Sequence, residues 1–350
     1  MLTATISIAD RTVGGGAPGF LIAEVGQAHD GSLGLAHAFI DAAADAGADA
    51  IKFQTHIADA ESTLDEAFRV KFSKQDATRF DYWRRMEFTA EQWAGLATHA
   101  VERGLLFLST PFSLAAVALL DKLGMPAWKI GSGEYRSTDL LAAMTATGKP
   151  VLLSTGMSRR DEIAEGVATV RAAGAGVALF QCTTRYPTPL TQVGLNVIDE
   201  LRAAHGCPVG LSDHSGQPFP ALAALARGAD MIEVHVIFDK GMFGPDVPAS
   251  LTFDEFRLVA QARDAFAEMT AHPVDKDALA DELTQMRALF TKSAAPTRAL
   301  AAGTVLTADM LCAKKPGSGI PAAEIPDLIG RRLARDVVPD RLLRPEDLDD

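Results

Sequence analysis

Eight short apolar runs recur along the chain at the spacing of βα units, and nearly every one ends in a polar or charged cluster. They are FLIAEVGQAHD from Phe20, AIKFQTH from Ala50, LFLSTPF from Leu106, AWKIGSGE from Ala127, VLLSTGM from Val151, VALFQCTTRYP from Val177, VGLSDHS from Val209 and MIEVHV from Met231. Runs of unbroken Val, Ile and Leu are buried on both faces, as in a parallel sheet covered by helices. Helix-patterned stretches such as LAHAFIDAAADAG and AEQWAGLATHAVERG lie between them. Eight such units predict an α/β fold of the (β/α)8 TIM-barrel type, whose functional groups gather at the C-terminal ends of the strands. The polar clusters fall there.

The 350 residues are 48% hydrophobic, ample for a packed core. No apolar run is long enough to span a bilayer, and the opening MLTATISIADRTVGGG lacks a basic stretch followed by an apolar signal core. The expectation is a cytoplasmic protein. A net charge of −12 argues against nucleic acid or an anionic membrane as partner, so an anionic substrate would need a local positive site. Cys182, Cys207 and Cys312 form neither a CxxC pair nor an even framework and read as reduced thiols. Cys182, at a strand end, reads as a buried structural residue rather than a nucleophile.

The βα pattern stops after about residue 270. A connector, 272–291, follows with helical spacing from about Lys276, and beyond it the texture changes to short β-prone pieces broken by Gly and Pro. The expected plan is a barrel over 1–271, the connector, and a small β-rich domain over 292–350 that is too short to bury much surface alone. Within it AAGTVLTADML and VPDRLLRPEDL resemble each other as turn, short strand and acidic half-turn. Residues 57–88 are long for a βα connection and read as a lid or an inserted helix, with Tyr82 and Trp83 packing it down or contacting a ligand.

Two histidines end adjacent strands, His214 in LSDHS and His235 in IEVHV. Imidazoles converging at a barrel mouth suit a divalent ion such as Mn2+, Zn2+ or Fe2+, with open positions for substrate; the alternative is two hydrogen-bonded histidines without a metal. Lys52 and Lys129 follow apolar runs at positions where a charged side chain must reach the mouth or bear a desolvation penalty. Around them stand Ser109, Thr110, Ser132, Ser154, Thr184 and Ser212, with GSG at 131–133 and TG at 155–156. Hydroxyls, glycine amides and ammonium groups together make a phosphate or carboxylate cradle, and a Schiff-base lysine is the alternative. Glu24, Gln54, Glu134 and Asp246 complete the rim, where such groups hold sugar hydroxyls, move protons or merely cap helices. His29 is either a third mouth histidine or part of a plain turn. His37, His56, His99, His205 and His272 are assigned to helices, connectors or surface.

As a set, these clusters resemble the sialic acid synthase family of nonulosonic acid synthases. EVGQAHDGS is similar to that family's E-I-G-x-N-H-x-G opening, and IKFQ, STPF, KIGSGE, LSTGM, CTTxYPTP, GLSDHS and GPDVPAS follow in family order. The C-terminal part, with KKPGSGI and the final EDL, resembles the family's antifreeze-like (SAF, β-clip) domain. The resemblance implies condensation of phosphoenolpyruvate with an N-acetylmannosamine-type aldose, giving N-acetylneuraminate, or with a 2,4-diacetamido-2,4,6-trideoxyhexose, giving a legionaminic- or pseudaminic-type acid. It implies His214 and His235 as ligands of Mn2+, with Mg2+ or Co2+ as substitutes. It implies Lys52, Thr110, Lys129, Ser132, Ser154, Thr184 and Ser212 as the phosphoenolpyruvate site. It places Gln54, Tyr186, Asp246 and Lys315 at the acceptor sugar and Glu24, Glu134 and Lys129 at the reacting centre, and it implies a domain-swapped homodimer.

Four residues depart from the pattern: Ala28 for Asn, Gln181 for the His that often precedes Cys-Thr, Val247 for His, and Lys315 for Arg. The last trades a planar fork for a point charge. The rival readings are a class I aldolase using Lys129 and a catalytically silent sugar-binding protein.

Overall fold

The computed structural model describes residues 4–68, 70–134 and 136–349. They form two compact units that divide between Ala271 and His272.

In the first unit all eight apolar runs are strands: β1 (Phe20–Gly26), β2 (Ala50–Thr55), β3 (Leu106–Pro111), β4 (Trp128–Ile130), β5 (Val151–Ser154), β6 (Val177–Cys182), β7 (Val209–Asp213) and β8 (Met231–Ile237). They pair in parallel in the order β3-β2-β1-β8-β7-β6-β5-β4. The two ends of that path, β3 and β4, lie against each other, so the barrel is nearly closed. Each strand is followed by at least one helix. The helix Leu33–Asp45 shows why: Ser32 caps its first turn by accepting from the Leu35 amide, and Ala36, Phe39, Ile40 and Ala43 bury one face at helical spacing. Burying a side chain such as Phe39 contributes about 1.5–3 kcal/mol. Among the described residues no helix is long and apolar enough to cross a membrane.

Two features were not anticipated. The segment read only as lacking a leader is a β-hairpin, Thr5–Ile8 against Arg11–Gly14, whose Ile6, Ile8 and Val13 enter the barrel core. Ile6 lies against Gly176, just before β6, so the hairpin covers the N-terminal end of the strands, opposite the polar clusters. The second is that the 57–88 excursion, read as a lid or an inserted helix with Tyr82 and Trp83 packing it down, has an apolar cluster of its own. Its helices, Ala58–Glu61 and Arg79–Met86, carry a separate apolar cluster of Ala58, Tyr82, Trp83 and Met86. Tyr82 and Trp83 therefore pack the excursion. Arg85 ties it to the loop after β1, donating to Asp76 at 2.8 Å and to Asp30 at 2.6 Å.

The second unit begins with two short helices, Lys276–Glu282 and Thr284–Phe290. An antiparallel pair, Ser293–Pro296 with Leu311–Lys314, and isolated bridges such as Leu300–Val337 and Leu333–Leu348 then enclose a core that includes Leu306, Leu333 and Leu343. The two similar segments seen in the sequence both reach a 3-10 turn, Ala308–Met310 and Pro345–Asp347.

His29 is a turn residue, not a mouth ligand: it is buried, its Nδ1 accepts from the Gly31 amide at 3.1 Å, and its ring packs 4.8 Å from that of Phe88. Burial first, then the neighbouring His56 and Arg85, push its pKa down to about 3. The proton is thus bound more readily by the unfolded chain, so this histidine's contribution to stability is complete above about pH 6.5 and is lost as pH falls toward 3. Unfolding free energies from urea titrations over that window should fall with acidification, by up to about 1.4 kcal/mol per pH unit from this group. His29→Asn, which keeps an acceptor for Gly31, should flatten the slope; an unchanged slope would show that the histidine is already charged in the fold.

Candidate active site

The inward faces of neighbouring strands build the site. Side chains two apart on a strand share a face, which sets Lys52 with Gln54 on β2 and Glu233 with His235 on β8. Parallel register then places Glu24 of β1 beside Lys52 on one side and His235 on the other, and Glu233 beside Ser212 of β7. The outward partners are apolar: Phe53 packs on Trp93 and Phe107.

Both lysines lie under this surface, 2% and 3% exposed for Lys52 and Lys129, and neither is unpaired. Lys52 Nζ is 2.6 Å from Glu24 Oε1 and 3.7 Å from Glu233 Oε2, and it donates to Thr110 Oγ1 at 3.3 Å. Lys129 Nζ is 3.3 Å from Glu233 Oε1, donates to Ser154 Oγ at 2.5 Å and lies over the Phe180 ring. Ser212 Oγ donates to Glu233 Oε1 at 3.0 Å. The expectation of bare positive charge in the mouth is therefore corrected: two ammonium groups meet two carboxylates, and an anion arriving here must compete with Glu24 and Glu233 for the lysines. Sequence reasoning missed Glu233. Its signal was an acid two residues before His235 inside an apolar strand, where only an inward, paired position is tolerable.

Burial pushes the Glu24 carboxyl up, but Lys52, His235 and Lys129 outweigh it and hold the group well below the usual carboxylate range. Burial likewise favours a neutral Lys52, and Glu233 and Glu24 reverse this, raising the ammonium pKa. Gln54 Nε2 donates to the same Glu24 Oε1 at 2.8 Å.

The two strand-end histidines meet, their ring centroids 5.5 Å apart. His214 Nδ1 faces the Thr183 carbonyl at 3.2 Å and its Nε2 faces the Tyr186 hydroxyl at 3.0 Å. The carbonyl can only accept, so the ring proton sits on Nδ1 and Nε2 keeps its lone pair. Burial, then His235, lower this imidazole's pKa to about 3. His235 is buried with Nε2 3.6 Å from Glu24 Oε2, and among the described residues its Nδ1 has no hydrogen-bond partner. Gly26 faces that atom at φ +54°; a Cβ there would come within 3.2 Å of Nδ1. A carbonyl-oriented imidazole next to one with an orphaned nitrogen fits a divalent ion. Among the described residues no third His, Cys, Asp or Glu completes a ligand cluster, so these two would hold it with most of its coordination sphere open.

A second group of hydroxyls lies beyond Lys129. Ser132 Oγ and Thr184 Oγ1 are 3.0 Å apart, and Gly156 sits beneath them. Any Cβ at Gly156 would meet Thr184 Oγ1 at 2.4 Å and Cys182 Sγ at 2.5 Å, so only glycine admits this approach. Cys182 is buried at the end of β6, and burial raises its thiol pKa, in keeping with a structural role.

The remaining expected residues are more peripheral. Glu134, half-buried, accepts from Ser137 Oγ at 2.9 Å just before the helix Thr138–Thr145. Asp246 precedes the 3-10 turn Val247–Ala249 and is close enough to Tyr82 to help raise that phenol's pKa, after burial. Lys315 is exposed in the second unit, with Nζ 5.1 Å from the Phe290 ring centroid. Of the departures, Gln181 is buried and donates to the Val193 carbonyl at 3.1 Å, away from the lysines. His56 lies in the connector after β2, one of the places allowed for it, but there it is buried and stacked between Trp83 and Phe112.

A sequence profile of the NeuB family matches residues 39–273, and one of the SAF domain matches 291–349. The chain is 32% identical to the N,N'-diacetyllegionaminic acid synthase of Campylobacter jejuni, over 93% of this chain and 98% of that one. It is also 32% identical to the human N-acetylneuraminate-9-phosphate synthase, over 97% and 95%. Among solved structures it is similar to the spore coat polysaccharide biosynthesis protein SpsE of Bacillus subtilis, with a TM-score of 0.67 and 31% identity over 99% of both chains. By sequence and by fold, therefore, the chain belongs to the NeuB family, that of the nonulosonic acid synthases, and carries a C-terminal SAF domain.

Proposed function

We propose that this chain condenses phosphoenolpyruvate with a 2-acetamido aldose of the N-acetylmannosamine type to give a nonulosonic acid and inorganic phosphate. The observation that carries the reading is the pair of buried lysines, bonded to Thr110 and Ser154 and sharing Glu233 with Ser212, with two imidazoles that meet beside Glu24. Lys52, Thr110, Lys129, Ser132, Ser154, Thr184 and Ser212 receive the phosphate and carboxylate of phosphoenolpyruvate, which replace carboxylate contacts the lysines make in the free protein. Gln54, Tyr186 and Asp246 face the acceptor. His214 and His235 would hold a divalent ion, Mn2+ by preference, which when bound would supply Lewis-acid polarisation of the aldehyde carbonyl.

C3 of phosphoenolpyruvate bonds to the aldehyde carbon, water adds at C2, and the C2–O bond to phosphate breaks. One water is consumed, one phosphate leaves, and a 2-keto acid remains. Glu24 is the better placed proton carrier, since it lies between Lys52, Gln54 and His235 at the centre of the site, whereas Glu134 lies at its periphery beside Ser137. Lys129 suits this role better than that of an aldolase nucleophile, because a Schiff base needs a free amine and this one is engaged by Glu233 and Ser154. The protein works in the cytoplasm as a homodimer, on this reading, with Lys315 of the SAF domain meeting the acceptor's acyl group.

The test is phosphate release from phosphoenolpyruvate with Mn2+, with and without chelator, and mass detection of the keto acid. The legionaminic and neuraminic relatives are equally similar to the chain, at 32% each, so N-acetylmannosamine and the 2,4-diacetamido-2,4,6-trideoxy sugar are run side by side. Metal-dependent release with one sugar is expected; none with either, from folded protein, overturns the reading. Glu24→Gln should lower kcat by about 10²–10⁴-fold, the range for a positioned acid–base group, while Glu134→Gln lowers it less. Lys315→Ala should raise KM for the acceptor and leave that for phosphoenolpyruvate unchanged; equal shifts in both would remove it from the acceptor site.

A further inference from the structure

A chain of hydrogen bonds leaves the reaction centre and ends on a histidine that touches none of the groups assigned above. Glu24 Oε1 accepts from Gln54 Nε2 at 2.8 Å, Gln54 Oε1 accepts from Gln27 Nε2, and that amide nitrogen lies 2.7 Å from His56 Nε2. On its other side His56 Nδ1 is 2.6 Å from Glu61 Oε1, and Glu61 Oε2 accepts from the Ile57 amide at 3.1 Å. The imidazole is locked between Trp83, at 3.9 Å and 14°, and Phe112, at 4.6 Å and 10°. Gln27 and His56 directly follow β1 and β2, so two strand ends supply the link.

We propose that His56 is a positioning residue of this site, one that sets the orientation of the Gln54 amide toward Glu24 by holding a single tautomer. An amide nitrogen has hydrogens and no free lone pair, so His56 Nε2, facing Gln27 Nε2, must be the acceptor. The ring proton is then on Nδ1, where the Glu61 carboxylate receives it. Gln27 uses its two hydrogens on His56 and on Gln54 Oε1, which leaves Gln54 Nε2 to donate to Glu24. No donor in this chain faces a donor, and no acceptor an acceptor.

Moving the proton to Nε2 would reverse every link. Gln27 would have to turn its oxygen to His56, Gln54 would turn its nitrogen to Gln27, and the Gln54 oxygen would then confront the Glu24 carboxylate. Glu61 prevents this by rewarding only the Nδ1–H form, and the aromatic stack prevents the ring from flipping. The kinetic part of the proposal rests on the condensation reading; the tautomer does not.

The full-length protein, labelled with [15N]histidine, tests the tautomer without turnover. A long-range 1H–15N spectrum should contain a ring pattern, assigned by its loss in His56→Phe, with Nδ1 protonated and Nε2 bare. The opposite tautomer overturns the proposal. In the synthase assay His56→Phe, which keeps the stack, should lower kcat about ten- to a hundredfold, as supporting residues around a site commonly do, with KM for phosphoenolpyruvate unchanged. Glu61→Gln, whose amide oxygen still accepts from Nδ1, should stay near native, and Glu61→Leu should reproduce the His56→Phe loss without touching the ring. In a Gln54→Leu background His56→Phe should add nothing. Undiminished loss in that background, or native turnover in Glu61→Leu, means the link does not act through Gln54.

Discussion

Two ammonium groups and two carboxylates share the inside of the barrel, and the rest of the site is arranged around keeping them there. Burying one unpaired charge is prohibitive, and removing one member of a buried pair typically costs about 3–5 kcal/mol because the other is left uncompensated. Lys52, Lys129, Glu24 and Glu233 offset one another through contacts of 2.6 to 3.7 Å. Thr110, Ser154, Ser212 and Gln54 take up part of the remaining hydrogen-bonding capacity. On the function proposed above, an anion that reaches either lysine would have to replace a protein oxygen already in place.

The barrel makes such a cluster affordable in geometric terms. Parallel register lines up Glu24, Lys52 and His235 on three neighbouring strands, and the two-residue period sends Gln54 and Glu233 to the same side. The outward faces are sealed by residues such as Phe53 and Trp128, so polar groups concentrate toward one end. The hairpin Thr5–Gly14 covers the other, where Ile6, Ile8 and Val13 extend the apolar core.

Much of this was legible in the chain. Unbroken apolar runs of strand length, each ending in Gly, Ser, Thr or charge, have few solutions besides a closed parallel sheet, and the eight strands fall on the eight runs. Lys52, Lys129, His214 and His235 stood out because a charged or imidazole side chain at the end of such a run has to point at the mouth. Glu233 was hidden by the same reasoning applied too coarsely: lying within the run, it was counted as strand rather than as site. The N-terminal hairpin escaped because Thr-Ile-Ser-Ile alternates over too few residues to stand out as a strand.

The sequence by itself determined the periodicity, and with it the barrel, the second unit and the set of groups available for chemistry, since patterning and turn residues act over a few positions. Only the tertiary structure decided which groups meet. Whether Lys52 faces Glu24 or solvent, whether His29 makes a turn or a ligand, and whether His56 is exposed or stacked between Trp83 and Phe112 depend on contacts between residues far apart along the chain. Charge pairing and tautomer are properties of those contacts: the same imidazole is an acceptor, a donor or a ligand according to the atom that packing places opposite it.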